Sequence, residues 1–107
     1  MDGENTRTAF QVQEHHCNAH DSLHGGVTMA LADYTLCLCA NGGETDSVVT
    51  VNCNSEFIAP AFKGDLVEGW GELTRRKGSM VFARCQLIVG ETVVLTSSGV
   101  IKRLRKK

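Results

Sequence analysis

One long apolar helix, followed only by strands, is the feature that most constrains how this chain of 107 residues can fold. Residues 27–40 read VTMALADYTLCLCA, follow a glycine pair and end at Asn41-Gly42-Gly43, which is typical of a helix stop. The segment is apolar nearly all round, so we expect it to be buried in a core. No second long helix is predicted.

The rest of the chain is predicted to form one strand before the helix and four after it. The predicted strands are residues 8–17, 47–59, 65–76, 79–89 and 91–104. Lys77-Gly78 and Gly90-Glu91 predict hairpin turns. Each strand needs one face covered, so a long antiparallel sheet wrapped around the single helix is the predicted α+β fold. Without a linker or repeat, residues 1–107 are predicted to be a single domain.

Composition argues against several classes of protein. The formal net charge of −1 gives no global field for nucleic acid or an anionic membrane. No apolar stretch is long enough for a membrane span, and the polar, acidic start does not resemble a signal peptide, so we expect a soluble cytoplasmic protein. The five cysteines are odd in number and lack a CxxC pair, so they are interpreted as reduced, mostly buried side chains.

Asp33 is the one formally charged residue between Asp21 and Glu44, and it lies in the middle of the apolar helix. An ionised carboxylate in apolar surroundings costs several kcal/mol unless it is hydrogen-bonded or its pKa rises. A desolvated carboxylate near a cleft is a candidate general base or nucleophile. The alternative is that Asp33 lies at a helix edge and faces water.

The Gly25-Gly26 pair stands where the predicted helix begins. Backbone N–H groups there are unpaired, the helix dipole is positive, and the lack of side chains lets a substrate carbonyl approach. Such a helix end can stabilise an oxyanion. A tight turn into the helix is the alternative explanation for the two glycines.

Gly25 and Asp33 are too far apart in one chain to act on the same atom. Eight helical residues span roughly 12 Å, whereas groups acting on one carbon must lie within about 4 Å of it. Two antiparallel copies of the helix across a two-fold axis would bring Gly25 of one subunit near Asp33 of the other. If both groups are catalytic, the sequence therefore predicts an obligate dimer.

The segment NAHDSLHGGVTMALAD, residues 18–33, resembles the N-x-x-G-x-x-HGG-x-x-x-x-L-x-D signature of PaaI-like hotdog-fold acyl-CoA thioesterases. The segments VTVN, FIAPA, KGDLVEG and KGSMVF, at residues 49–52, 57–61, 63–69 and 77–82, are similar to later strands and turns of that family. Asp21 stands where the signature has a glycine. The resemblance implies a hotdog fold with its active site between two subunits, as a dimer or a dimer of dimers.

The resemblance also implies roles for five residues in hydrolysis of acyl-CoA. Asp33 matches the acid that activates water or attacks the thioester, and the N–H of Gly25 matches the donor to its carbonyl. Asn18 and His24 match positions beside that carbonyl, and Thr50 matches a hydroxyl that holds the water or the acid. No cofactor is implied. The chain begins close to its first strand, so we expect a more open pocket than in relatives with a covering N-terminal helix.

Two further groups of residues are candidates for ligand binding. The phosphates of coenzyme A attract basic groups. Candidates to contact coenzyme A are the turn of Arg75, Arg76, Lys77, Gly78 and Ser79, together with Gly26 and the basic residues at the end of the chain. Solvated chain ends and turns are the commoner explanation. His15, His16, Cys17, His20 and His24 could suggest zinc, but a strand followed by a loop would separate them, and no metal site is predicted.

Two alternatives to a thioesterase stay open. His24 with a carboxylate could serve a hotdog enoyl-thioester hydratase or dehydratase. A non-catalytic acyl-CoA-binding or sensing module is the alternative from a different class. An assay for free thiol, compared with assays for enoyl hydration and for binding without turnover, separates the three.

Overall fold

The computed structural model describes residues 5–18, 22–23, 25–41 and 47–104. Its elements are β1 (Asn5–Gln11), a 3₁₀ turn η1 (Glu14–His16), α1 (Gly25–Asn41), β2 (Ser47–Phe57), β3 (Leu66–Lys77), β4 (Met80–Val89) and β5 (Thr92–Leu104). The five strands form one antiparallel sheet in the order β1-β3-β4-β5-β2. The predicted α+β arrangement of a long sheet against a single helix is therefore confirmed.

The first strand is shorter than predicted, because local hydrogen bonds end it. β1 stops at Gln11, whereas the prediction extended to residue 17. The backbone N–H of Gln13 donates to Nδ1 of His16 at 3.0 Å, and the N–H of His16 donates back to the carbonyl of Gln13 at 2.9 Å. These bonds close a turn, so His15 and His16 lie in η1 and not in a strand.

The two predicted hairpin turns are present. Gly78 joins β3 to β4 and Gly90 joins β4 to β5, each with φ of 60°. This left-handed backbone conformation favours glycine and suits tight hairpins. The strands on either side of each turn begin and end within two residues of their predicted bounds.

One face of α1 packs on the concave face of the sheet. Its buried residues recur every three to four positions, as helical periodicity requires: Thr28, Leu31, Ala32, Thr35, Leu36, Cys39 and Ala40. They meet buried side chains of the two central strands β4 and β5: Val81, Ala83, Cys85, Leu87, Leu95 and Ile101. The sheet can cover only one side of the helix, so the other side is not packed against it.

The prediction that α1 is buried all round is wrong for the single chain. Met29 and Tyr34 are 41% and 56% exposed, and Asp33 beside them is partly exposed. Both faces of the helix are apolar in sequence, but the described residues form one sheet, which packs on one side of the helix and leaves the side that carries Asp33 partly exposed.

Three glycines of the sheet make room for the helix. A Cβ at Gly69 would contact the Oγ1 atoms of Thr8 and Thr35, which are themselves hydrogen-bonded to each other at 2.8 Å. A Cβ at Gly71 would lie 3.1 Å from Cγ2 of Thr35, so α1 approaches the backbone of β3 closely. On β5, the absence of a side chain at Gly99 lets Leu36 of α1 pack close to the strand backbone. The position of α1, and of Asp33 on it, therefore depends on these small residues.

We expect Gly99→Ala to lower the free energy of unfolding by about 1–3 kcal/mol, because overpacking a filled core forces backbone shifts. The added Cβ would lie 2.8 Å from the carbonyl oxygen of Asn52 and 3.2 Å from Cδ1 of Leu36. Gly26→Ala is the matched control, since a Cβ there meets nothing within 4 Å. Chemical denaturation measures both variants, and an equal loss in the two would contradict this packing role.

Candidate active site

Asp33 and Thr50 form the shortest side-chain contact of the candidate site. The Thr50 hydroxyl donates to Oδ1 of Asp33 at 2.6 Å. Asp33 comes from the uncovered face of α1, and Thr50 from the edge strand β2. The structure therefore brings these two predicted residues together in one chain, with a carboxylate that is held by a donor and still reaches solvent.

A β-bulge directs Thr50 toward the helix. The register between β2 and β5 shifts between Thr50 and Asn52, which leaves Val51 as the extra residue. Strict alternation from Thr50 would place Cys53 on the opposite face, yet Cys53 packs against the core while Thr50 reaches α1. The bulge thus lets both residues face the same side of the sheet.

Cys37 is a further member of this group that the sequence analysis did not identify. Its Sγ lies 3.5 Å from Oγ1 of Thr50 and 4.0 Å from Oδ1 of Asp33. Burial raises the pKa of the Cys37 thiol, and the charge of Asp33 adds to this rise. Asp33 and Cys37 are four residues apart on one helix, and this spacing was the signal that could have indicated the contact.

The helix begins at Gly25, so the unpaired backbone N–H groups at its start could bind a carbonyl oxygen. An apolar cavity of about 310 Å³ adjoins Gly25. The ring of Phe57 lies 3.5 Å from where a Cβ of Gly25 would be, so the first helical residue faces an aromatic wall. Other lining residues include Thr28, Ile58 and Val94. Gly26 follows at the exposed second position of the helix.

The loop before the helix is organised around Asn18. Its Oδ1 accepts from the N–H of Ser22 at 3.2 Å, and its own N–H donates to the Ser22 carbonyl at 2.8 Å. Leu23 then donates its N–H to the carbonyl of Ala61 at 2.7 Å, which fixes the chain two residues before Gly25. His24 lies outside the described residues.

Gly25 and Asp33 are not brought together in one chain. The helix is continuous between them, so eight residues separate the two groups by roughly 12 Å along its axis. A site that uses both groups on one reacting carbon cannot be built from a single copy of α1.

The turn of Arg75, Arg76, Lys77, Gly78 and Ser79 is exposed and lies at the other end of the sheet from Gly25. Phe57, beside Gly25, pairs with Leu95, whereas Met80 at the turn pairs with Lys102. Leu95 and Lys102 are roughly 23 Å apart along β5 at about 3.3 Å per residue. Within one chain, the predicted coenzyme A-binding residues are therefore not assembled with Gly25 and Gly26.

The described residues show neither a cluster of metal ligands nor a membrane-spanning helix. Across residues 5–18, 22–23, 25–41 and 47–104, no three His, Cys, Asp or Glu side chains come together as metal ligands would. His20, one of the residues weighed for zinc, lies outside these stretches together with His24. α1, the long helix of the described chain, does not have the length and apolar character needed to cross a bilayer.

Comparison with known proteins identifies relatives by sequence and by structure. Residues 20–96 match the thioesterase superfamily. A Pseudomonas aeruginosa protein named "Putative esterase PA0474" is 32% identical over 94 residues, which cover 86% of this chain and 70% of that protein. Among solved structures, the E. coli PaaI protein from the phenylacetic acid degradation operon superposes with a TM-score of 0.91 at 20% identity, covering 99% of this chain and 76% of that one.

A second solved structure is an acyl-CoA hydrolase from Staphylococcus aureus in complex with butyryl coenzyme A, coenzyme A and coenzyme A disulfide. It superposes with a TM-score of 0.86 at 19% identity, over 98% of this chain and 65% of that one. These likenesses confirm the hotdog fold, and the sequence match covers most of the chain. The chain therefore belongs to the thioesterase superfamily.

Proposed function

We propose that this protein hydrolyses acyl-CoA thioesters to the free acid and coenzyme A, at an active site shared between two subunits. The observation that carries the proposal is the Asp33 carboxylate, held by Thr50 at 2.6 Å on a helix face that the described residues leave partly exposed. A carboxylate kept in place by one donor and open on another side can accept a proton from water or attack a carbonyl.

The chemistry divides between Gly25 at the start of the helix and Asp33 near its middle. The backbone N–H of Gly25 donates to the thioester oxygen, where negative charge develops as the carbonyl carbon becomes tetrahedral. Asp33 takes a proton from the attacking water, and the C–S bond breaks when the thiolate of coenzyme A leaves. Direct attack by the carboxylate is the other route, and an acyl anhydride with Asp33 would then be hydrolysed by water. Both routes end with the acid and the thiol.

A dimer resolves the separation of roughly 12 Å between Gly25 and Asp33 in one helix. Large apolar side chains are exposed on both elements that carry the site: Met29 and Tyr34 on α1, and Val49 and Val51 on β2. β2 is also an edge strand whose outer side has no neighbour among the described strands. An uncovered apolar helix face beside an open sheet edge is what a two-fold partner would cover, and two dimers can pair further into a tetramer.

Asn18 and His24 belong, in this proposal, with Gly25 at the carbonyl end of the site, while Thr50 stays with Asp33 of the other subunit. Asn18 holds the loop that leads into the helix, which supports a role in setting the position of Gly25. The apolar cavity beside Gly25 suits part of the acyl-pantetheine chain, since its walls are Phe57, Ile58 and Val94. No cofactor is needed.

The positively charged turn of β3 and β4 is proposed to bind the phosphates of coenzyme A across the subunit interface. Arg75, Arg76 and Lys77 are exposed, and the turn also offers the backbone groups of Gly78 and Ser79 and the hydroxyl of Ser79. Because the turn is roughly 23 Å from its own Gly25, a two-fold partner would have to bring it near the other subunit's site. The butyryl coenzyme A complex of the S. aureus hydrolase supports a ligand of this class.

Asp33→Asn is expected to lower kcat by on the order of 10²- to 10⁴-fold, because the amide cannot accept the proton or act as the nucleophile. Thiol release from short, medium, long and aromatic acyl-CoAs measures the loss. The variant should stay dimeric with an unchanged free energy of unfolding, since the shape of the side chain is kept. Undiminished hydrolysis would remove Asp33 from the mechanism, and wild-type protein that binds acyl-CoA without turnover would instead support a sensor.

Replacing Arg75 and Arg76 together by alanine is expected to raise KM for acyl-CoA and to leave kcat nearly unchanged, because phosphate contacts bind ground state and transition state alike. The difference from wild type should shrink as ionic strength rises, since exposed ion pairs are screened. Arg84→Ala is the matched control, because that arginine is also exposed and pairs with Glu72 at 2.7 Å. Equal KM effects in the double variant and the control would argue against a phosphate site at the turn.

A further inference from the structure

Cys37 shares the uncovered face of α1 with Asp33, one helical turn later along the chain. Its thiol contacts the Thr50 hydroxyl at 3.5 Å and lies 4.0 Å from the same carboxylate oxygen that Thr50 binds. Two side chains, Thr50 from β2 and Cys37 from α1, thus lie near one oxygen, Oδ1 of Asp33. The proposed function uses only Thr50.

The direction of the hydrogen bonds follows from the number of protons available. A threonine hydroxyl has one proton, and an ionised carboxylate can only accept. At 2.6 Å the Thr50 proton is committed to Asp33, so the Thr50 oxygen must act as acceptor toward Cys37. The thiol is therefore the donor in this pair, and burial favours its protonated form by raising its pKa.

We infer that Cys37 is a positioning residue, whose S–H donates to Thr50 and fixes the Thr50 hydroxyl on one oxygen of the Asp33 carboxylate. This inference rests on the proposed function of Asp33. Without the thiol, the Thr50 hydroxyl can rotate about its C–O bond, and the carboxylate loses part of the restraint on its orientation. The Thr50 hydroxyl donates to Oδ1 of Asp33, and Cys37 lies on the side of that same oxygen, so the second carboxylate oxygen is the one left for water or substrate.

Cys37→Ala should lower kcat about three- to tenfold, as expected for one lost hydrogen bond, with less than about a twofold change in KM. Cys37→Ser should recover most of the loss, because its hydroxyl can also donate to Thr50. In a Thr50→Val background, Cys37→Ala should have little further effect, since the thiol acts through the threonine. The measurements are steady-state thiol release and the free energy of unfolding of each variant.

Cys53→Ala is the matched control. Cys53 lies on β2 like Thr50 and is partly buried, but its Sγ contacts Oγ of Ser97 at 3.3 Å. This variant should keep the kcat of the wild type even if it is less stable. A purely structural role for Cys37 would make its alanine variant resemble the control, with lower stability and unchanged kcat.

Three results would overturn the inference: unchanged kcat in Cys37→Ala, a serine variant as slow as the alanine variant, or full additivity with Thr50→Val. Asp33→Asn, assayed alongside, separates this failure from that of the proposed function. If Asp33→Asn is inactive while Cys37→Ala is normal, only the role of Cys37 is wrong. If Asp33→Asn keeps full activity, the carboxylate is not catalytic, and the proposed role of Cys37 is then wrong as well.

Discussion

The packing of one helix with two apolar faces on a single sheet is the constraint from which the rest of the structure follows. The sheet covers the face that carries Leu31, Leu36 and Cys39, and glycines at positions 69, 71 and 99 allow the close approach. The opposite face, with Met29 and Tyr34, stays exposed among the described residues. Since burying apolar surface is the main favourable term in association, this face favours a second subunit.

The same packing gives the carboxylate its environment. Asp33 lies on the partly exposed side of α1, where Thr50 reaches it from β2 and Cys37 lies one turn further along the helix. A fully buried carboxylate would need every lone pair satisfied, whereas a fully exposed one would lose its fixed orientation to water. The observed half-buried position keeps one oxygen restrained and leaves the other side of the group open, which suits proton transfer within a pocket closed by a partner.

The sequence predicted the fold well because its signals were local and periodic. The helix, the last four strands and both hairpin turns follow from apolar patterns, glycine positions and turn residues. The end of β1 was missed because it depends on the bonds between Gln13 and His16. The burial of α1 was overestimated because composition cannot tell a face covered by its own sheet from one left for a partner.

For the candidate site, the single charge in an apolar helix was enough to select Asp33, and the family signature added Thr50. The contact between these two residues depends on the β-bulge around Val51. Residue propensities did not predict this bulge. Cys37 was treated only as a small buried side chain, because its role depends on a strand that lies 13 residues further along the sequence. The distance between Gly25 and Asp33, by contrast, could be worked out from helix geometry alone.

The most direct measurement of a shared active site is subunit mixing between Asp33→Asn and Gly25→Pro. Proline is tolerated at the first position of a helix and removes the N–H donor, so each variant alone should be inactive for a different reason. Mixed dimers hold one site with both native groups, and a random mixture should regain up to about a quarter of wild-type activity. Mixed dimers that form but stay inactive would contradict catalysis by Gly25 of one subunit and Asp33 of the other.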